Sequence, residues 1–589
     1  MNTPRAVPQL RWPSDAVLTM PGSKSSANRL LVAAAMSGAE VVVQGVTASD
    51  DVVHMVEGLR TLGFQVKLNA ARERVEVGPR RANPPTQGEL HCGNAGTALR
   101  FLVSVAAVTP GNWTLTGDAA MRRRPIGALA AAWRQLGADV RDTAGCPPVR
   151  VRTAEVPRGG VVTLDASQSS QFASSLLLVG ASLQDGLDVQ FAGDLASADY
   201  VTLTSQALQR FGVRTHTGRK GVRVLPGSGP VPATVQVDGD WSGMGVWTCL
   251  DHLTGSRVHA DNLADAPHPD RVLAEVLDAM PSEGDHTIDI GPFPDQFLNL
   301  AIVAAHRAGT TRLVGGANLR LKECDRIAVM ARELSRLGAA VEERPDGLVV
   351  HGGRRLRPAI IDPEHDHRVA MAFALAGLLT PGIAIADPDC VTKSYPRFWH
   401  DLNHVAAQHR CIAVVGMRAA GKTTFARAFA QATGVIAHDT DARFVAEHGP
   451  IGAFVAVHDW PAFRGHEERF VADALIPATI VSTGGGAIES AATRALLRER
   501  TLVVWLDAPA ELLRQRLAAA PGGRPSITGG SVLDEIDVLL RRRNPLYAEI
   551  AHVRIDAALP TQQQVEQALQ ALGTSCRWPG SGDSAAARP

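Results

Sequence analysis

RCIAVVGMRAAGKTTFARAFA, Arg410 to Ala430, decides the fold of the last third of this chain. The apolar run up to Val415 reads as a short buried strand, and the Ala- and Phe-rich run at its end reads as a helix. Between them GMRAAGKT, Gly416 to Thr423, fits G-x-x-x-x-G-K-[ST]. In that strand–loop–helix setting, backbone N–H groups and a helix N-terminus cradle phosphate oxygens. Lys422 then reaches the β- and γ-phosphates of a nucleotide, and Thr423 ligates Mg²⁺. Ala419, Ala420, Gly421 and Thr424 complete the cradle. Downstream, the strands in IVSTGGG and TLVVWLD alternate with helices, which predicts a parallel sheet covered on both faces.

Other residues in this part set it apart from other phosphate-loop kinases. Asp439 and Asp441 stand in HDTD at a predicted strand end, where kinases of this kind place substrate- and metal-contacting carboxylates. Gly484, Gly485 and Gly486 are contiguous, and three glycines carry a backbone-entropy cost that a turn alone does not explain. Close approach of a ligand to bare backbone does. Arg464, Arg524 and Arg543 would each, taken singly, read as solvated surface charges.

Taken together, residues from about 410 to 573 resemble shikimate kinases. The phosphate loop, DTD, FR, GGG, RP and R-x-P-L-Y occur in that family's order. The resemblance implies that Asp441 binds the ring hydroxyls and helps deprotonate the attacking one. It implies that Arg464 and Arg543 clamp the carboxylate, with Gly485 backing the ring. Arg524 would sit on a lid and neutralise the transferring phosphoryl group, and Asp439 would orient water on Mg²⁺. Ala419 and Ala420 depart from the Gly and Ser frequent in bacterial members, but small residues still fit.

The first 400 residues carry an internal repeat. Helix-like runs close on Leu or Phe, then Gly, then a short strand, around Gly63, Gly137, Gly212 and Gly338. The first three are about 75 residues apart and the fourth follows after nearly two periods. LAEVLDAM, ending at Met280, falls near the middle of that gap. This spacing predicts about six copies of one βα-rich unit.

Cations recur beside small residues along the same stretch. PGSKSSANR places Lys24, Ser25 and Arg29 at a helix start, an anion site by simple electrostatics. HCGNAGTALRF supplies Asn94, Gly96 and Arg100, and MRRRPIG supplies Arg124 from a run that would ordinarily be a solvated face. Ser169, Ser170 and Gln171 offer neutral donors. Asp295, then Asn318, Lys322, Glu323 and Arg326, then Arg368 and Lys393 follow. Such a cation surplus in a chain of zero net charge predicts strongly anionic small ligands. Asp295 and Glu323 among these cations suit proton transfer, although each alone would read as a structural ion pair.

This set resembles the enolpyruvyl transferases, and most closely the 5-enolpyruvylshikimate-3-phosphate synthases, over roughly residues 8 to 405. The resemblance implies two globular lobes, each of three βαβαββ units, with the first lobe discontinuous because the chain crosses twice. It implies that shikimate 3-phosphate is held by Lys24, Ser25, Arg29, Ser169, Ser170, Gln171, Ser197, Asp295, Asn318 and Lys322. Phosphoenolpyruvate would be held by Lys24, Asn94, Gly96, Arg124, Gln171, Arg326, Arg368 and Lys393. Asp295 would take the proton from the 5-hydroxyl, while Glu323 and Lys24 manage methylene protonation and phosphate departure. No metal is required in this half, so Mg²⁺ is expected with ATP in the kinase half only.

The sequence departs from common bacterial members at Phe101 (usually Pro), at Ala198 and Asp199, and in DWSGMG. Phe101, MRAAGKTT and LKECDRI are more similar to the fungal pentafunctional arom polypeptide, which carries both activities in this order. Two alternatives are weaker. UDP-N-acetylglucosamine enolpyruvyl transferases usually carry a Cys before their R-P motif, and GDAAMRRRPIG has none. A half reduced to a non-catalytic binder would be signalled by loss of Lys422, Asp441, Asp295 or Glu323, and all are present.

Size and composition agree with this reading. A chain of 589 residues exceeds one hydrophobic core, and 45% hydrophobic with 20% charged residues is ordinary for a globular protein. The expected domains are 1–408, 409–573 and a disordered tail, 574–589. FWHDLNHVAAQHR, without Gly or Pro, joins the halves closely. Seven scattered cysteines without a CxxC pair, and no signal or spanning run, predict a cytoplasmic protein. The expected partners are shikimate, ATP, shikimate 3-phosphate and phosphoenolpyruvate. No nucleic acid or membrane is expected, and the chain is read as a monomer.

Overall fold

The computed structural model describes residues 3–10, 13–167, 169–193, 199–218, 220–264, 268–407, 410–519, 533 and 535–574. The chain forms two compact units. One holds Val17–Leu250, His259–Leu402 and the stretch ending at Gln9; the other holds Leu10–Ala16, Asp251–Val258 and the stretch from Asn403 onward.

The repeat read from the sequence is a repeat of strand pairing. Thr234–Gln236 lies parallel to Val41–Gln44, which is antiparallel to Arg74–Arg80, itself antiparallel to Phe64–Asn69. The same order of one parallel and two antiparallel pairings recurs from Gln87–His91 through Gly111–Thr116 and Cys146–Thr153 to Asp139–Thr143. It recurs again from Gly160–Leu164 through Leu187–Phe191 and Gly221–Val224 to Thr215–Gly218. The fourth copy runs from His286–Asp289 through Gly309–Val314 and Gly347–Gly352 to Ala340–Arg344. Two sheets are abbreviated: Ile360–Ile361, Ala384–Ile385 and Arg5–Ala6 form one, and Asp15–Leu18 with Arg257–Ala260 the other.

Each copy also contributes two helices. The first of each pair is Lys24–Ser37, Gly96–Ala107, Ser170–Gly180, Trp241–Thr254, Phe297–His306 and His367–Leu379. The second is Asp50–Thr61, Gly127–Gln135, Asp199–Arg210, Leu273–Asp278, Arg326–Arg336 and Phe398–Ala407. The repeated glycines follow four of the second helices. Gly63, Gly137, Gly212 and Gly338 have φ between 69° and 94°, the left-handed turn that lets the chain reverse into the next strand.

Ala27 to Val237 share one apolar core. The helices at its centre are Gly96–Ala107, buried at every residue, and Ser170–Gly180, nearly so. The N-terminal strand Arg5–Ala6 instead pairs with Ala384–Ile385, so one sheet joins strands from both ends of the front part. Two segments distant in sequence also run side by side. Ser23 N donates to Asp238 O at 2.9 Å, and Asp240 N to Pro21 O at 2.9 Å.

The last third is a five-stranded, all-parallel sheet in the order Ile436–Asp439, Thr479–Ser482, Cys411–Val415, Thr501–Asp507, Val553–Asp556. Its central strand is buried at all five residues, as a strand covered on both faces must be. Beside the main core a smaller cluster, Phe444, Ile451, Phe463 and Phe470, packs helix Thr440–His448 against Ile451–Ala474. The latter breaks at Asp459, with φ 72°, two residues before Pro461.

FWHDLNHVAAQHR is helical over Phe398–Ala407. The final helix ends at Thr574, one residue inside the segment expected to be tail; 575–589 lie outside the described residues. Among the described residues no helix is long and apolar enough to cross a membrane.

Candidate active sites

One cleft in the front unit gathers Lys24, Ser25, Arg29, Gly96, Arg124, Ser169, Ser170 and Gln171 with Asp295, Asn318, Lys322, Glu323, Arg326 and Arg368. Asn94 and Lys393 are joined to it. Lys393 Nζ donates to Asn94 O at 3.0 Å, and Arg124 Nη1 donates to Asn94 Oδ1 at 3.3 Å. Ser197 lies outside the described residues. The fold explains the convergence. Helices starting at Lys24, Gly96 and Ser170 turn their N-terminal residues into the cleft, and Asp295, Arg326 and Arg368 also stand at helix starts. The positive ends of these helix dipoles add to the potential of the side chains.

The two candidate carboxylates are caged by cations. Asp295 lies 3.0 Å from Arg326, 3.1 Å from Arg368 and 3.7 Å from Lys322. Glu323 lies 3.1 Å from both Arg326 and Lys393. Burial pushes both carboxyls up, but the cations outweigh it. Arg368, Lys322, Arg326 and Lys24 hold Asp295 well below the usual carboxylate range, and Lys393, Arg326, Arg124 and Lys24 do the same to Glu323. Arg326 is oriented from behind by the fully buried Asp366, 2.7 Å from its Nε. Lys24 pairs with Asp51 at 3.5 Å.

Arg29 and Arg100 are held by neutral groups instead. Arg29 donates to Thr204, Ser174 and the carbonyls of Ser25 and Tyr200, with the rings of Phe101 and Tyr200 5.4 and 5.7 Å from its guanidinium. Burial lowers it to about 10. Arg100 donates to Gln171 Oε1 at 2.6 Å, and burial lowers it to about 9. The departure at Phe101 thus falls against a cleft arginine. Tyr200, Asp51 and Asp366 were not singled out from the sequence. The only signal for Asp366 was its place beside Arg368.

In the second unit, Ala419, Ala420, Gly421, Lys422, Thr423, Thr424, Asp439, Asp441 and Gly485 line one cleft. Lys422 Nζ donates to Met417 O at 3.0 Å, and Thr423 Oγ1 donates to Asp439 Oδ2. Ala419 takes φ 67°, so this alanine sits where glycine is at ease. Arg524 lies outside the described residues.

The glycine triplet has a reason beyond the one expected. A Cβ built on Gly484 would fall 2.0 Å from Glu467 Oε1 and 2.8 Å from Asp441 Oδ1. On Gly486 it would fall 2.0 Å from Arg464 Nη2. Bare backbone here makes room for the site's own charged side chains. Arg464 is ion-paired with Glu467, whose carboxyl burial pushes up against the pull of Arg464. Arg543 is buried, donates to Glu489 Oε1 at 3.0 Å, and keeps Nη2 without a hydrogen-bond partner among the described residues. Tyr547 donates to Gly485 O at 2.8 Å. Glu467 and Tyr547 were missed in the sequence: Tyr547 closes the R-x-P-L-Y stretch and Glu467 follows Arg464 by three residues, but only the arginines were read as ligands.

The family described as EPSP synthase (3-phosphoshikimate 1-carboxyvinyltransferase) matches residues 13–402, and the family described as shikimate kinase matches residues 418–573. A 3-phosphoshikimate 1-carboxyvinyltransferase of Rhizobium etli is 37% identical over 399 residues, covering 66% of this chain and 94% of that protein. The pentafunctional AROM polypeptide of Komagataella phaffii is 30% identical over 617 residues, covering 92% of this chain and 39% of its own length. Among solved structures, an EPSP synthase of Acinetobacter baumannii superposes with a TM-score of 0.58 at 26% identity, over 68% of this chain and 98% of that one. The chain belongs to the EPSP synthase family over its front two thirds and carries a shikimate kinase domain behind it.

Proposed function

We propose that the chain performs two transfers in succession. The kinase domain, 409–573, moves the γ-phosphate of ATP to the 3-hydroxyl of shikimate. The synthase domain, 1–408, joins the enolpyruvyl group of phosphoenolpyruvate to the 5-hydroxyl of shikimate 3-phosphate and releases phosphate. The observation that carries the reading is the pair of caged carboxylates, Asp295 and Glu323, in a cleft lined by cations and helix N-termini.

In the synthase, Lys24, Ser25, Arg29, Ser169, Ser170, Gln171, Asn318 and Lys322 hold shikimate 3-phosphate. Lys24, Arg124, Arg326, Arg368 and Lys393 hold phosphoenolpyruvate. Asp295 accepts the 5-hydroxyl proton as that oxygen bonds to C2 of phosphoenolpyruvate, while C3 gains a proton from the Glu323–Lys24 side. The tetrahedral adduct then loses phosphate from C2 and a proton from C3. The cage makes Asp295 a weak base in the empty enzyme. Ligand phosphate and carboxylate groups draw on the same cations, which relieves the downward push on Asp295 and strengthens it as the substrates arrive.

In the kinase, Arg464 and Arg543 bind the shikimate carboxylate and Asp441 accepts the proton of the attacking hydroxyl. The oxygen bonds to the γ-phosphorus as the bond to the β–γ bridging oxygen breaks, and Lys422 and Arg524 take up charge on the phosphates. Thr423 and Asp439 are hard oxygen donors in contact with each other at the phosphate loop, a set that suits Mg²⁺. When bound with ATP, the ion would neutralise phosphate charge.

The test is a coupled assay of the whole protein with shikimate, ATP and phosphoenolpyruvate. ADP and inorganic phosphate should appear in equal amounts, and omitting shikimate should abolish both. ADP without phosphate, when shikimate 3-phosphate is also supplied, would sink the synthase half of the reading.

A further inference from the structure

Arg516 belongs to no motif, yet it touches both walls of the nucleotide cleft. It lies near the end of helix Ala510–Ala518 and lines the cleft with the phosphate loop. Its Nη1 donates to the carbonyls of Ala420 at 2.9 Å and Ala419 at 3.3 Å, while Nη2 donates to Ala557 O at 2.9 Å. Ala557 directly follows strand Val553–Asp556 and leads to helix Thr561–Thr574, whose Thr561 and Gln564 line the far side of the cleft.

We propose that Arg516 is the positioning residue of the phosphate loop. The loop needs one. Gly416, Ala419 and Gly421 have φ of 146°, 67° and 100°, and the alanine among them has no glycine's ease there. In a trans peptide, C=O and N–H point opposite ways. Drawing the Ala420 carbonyl onto Arg516 therefore turns the Gly421 N–H the other way, toward the phosphates. The second arm, on Ala557, sets the distance between the loop and the opposite wall. A planar fork with donors on separate nitrogens spans both; a lysine ammonium is a single point.

The inference rests on ATP being the phosphoryl donor of the kinase domain. The full chain is assayed as wild type, Arg516→Lys and Arg516→Ala, with KM for ATP, KM for shikimate, kcat and ADP affinity by calorimetry. Both variants should raise KM for ATP by about tenfold or more and weaken ADP to match. KM for shikimate and the synthase rate should stay at wild-type values. Added guanidinium ion should recover part of the ATP affinity of Arg516→Ala, and the lysine variant should not reach wild type. A wild type unable to use ATP would defeat the kinase reading itself. An active wild type with KM for ATP within twofold in the variants would overturn this proposal, as would loss of kcat at unchanged KM. A general loss in which both substrates weaken together and guanidinium restores neither would assign Arg516 to folding alone and overturn it too.

Discussion

Replacing Gly486 by alanine tests the shikimate clamp without touching a charged residue. Gly486 has φ −102° and ψ −6°, a backbone that alanine adopts without strain. The new methyl would sit 2.0 Å from Arg464 Nη2, 2.3 Å from Nη1 and 2.4 Å from Cζ. Non-bonded heavy atoms rest at about 3.5 Å, so the guanidinium must retreat by about 1.5 Å. It is the end of a flexible side chain, so the domain should stay folded. A hydrogen bond, however, does not survive a displacement of that size. Losing charge-assisted bonds to the shikimate carboxylate removes roughly 1.5–3 kcal/mol, or roughly a 10- to 150-fold rise in KM for shikimate. Initial rates by coupled ADP release, with shikimate varied at saturating ATP, measure this, and KM for ATP should hold. A folded variant with KM for shikimate within twofold of wild type would refute Arg464 as a carboxylate ligand.

Gly96→Ala repeats the experiment in the synthase: its methyl would meet Arg124 at 2.7 Å, and KM for phosphoenolpyruvate should rise several-fold while that for shikimate 3-phosphate barely moves, by the same steric reasoning. Burial holds the Lys322 ammonium below its ordinary value. Its charge is therefore lost earlier as pH rises, so affinity for shikimate 3-phosphate should fall on the alkaline side, and Lys322→Arg should flatten that limb. Asp295 and Glu323, held well below the carboxylate range, should put no break into kcat/KM at weakly acidic pH; a break there that Asp295→Asn or Glu323→Gln removes would contradict the cage. Lys422→Met should abolish shikimate phosphorylation and spare the synthase, with Asp295→Ala doing the reverse. Loss of both activities in a folded Lys422→Met protein would defeat independent sites.

What the sequence discloses depends on whether a residue's partners are neighbours in the chain. The Arg122–Arg124 run is a case: Arg122 and Arg123 are exposed, as such a run ordinarily is, while Arg124 is buried in the cleft. The phosphate loop and HDTD were legible because strand, loop and helix are contiguous. Arg516 was not, because the loop carbonyls it holds lie 96 and 97 residues away. Tyr547 meets Gly485 across 62 residues, and Glu467 is explained only by the room Gly484 leaves it. In the front half the repeat made the units legible. Each copy starts its helices where strands end, and several site residues stand at those starts. Lys24, Gly96 and Ser170 begin successive first helices, Phe297 follows Asp295 by two residues, and Arg326 and His367–Arg368 begin others. The cations at these starts predict anionic ligands and the family resemblance implies a shared site, but the gathering in one cleft is seen only in the fold. A residue in the last turn of its helix, as Arg516 is, carries no such address.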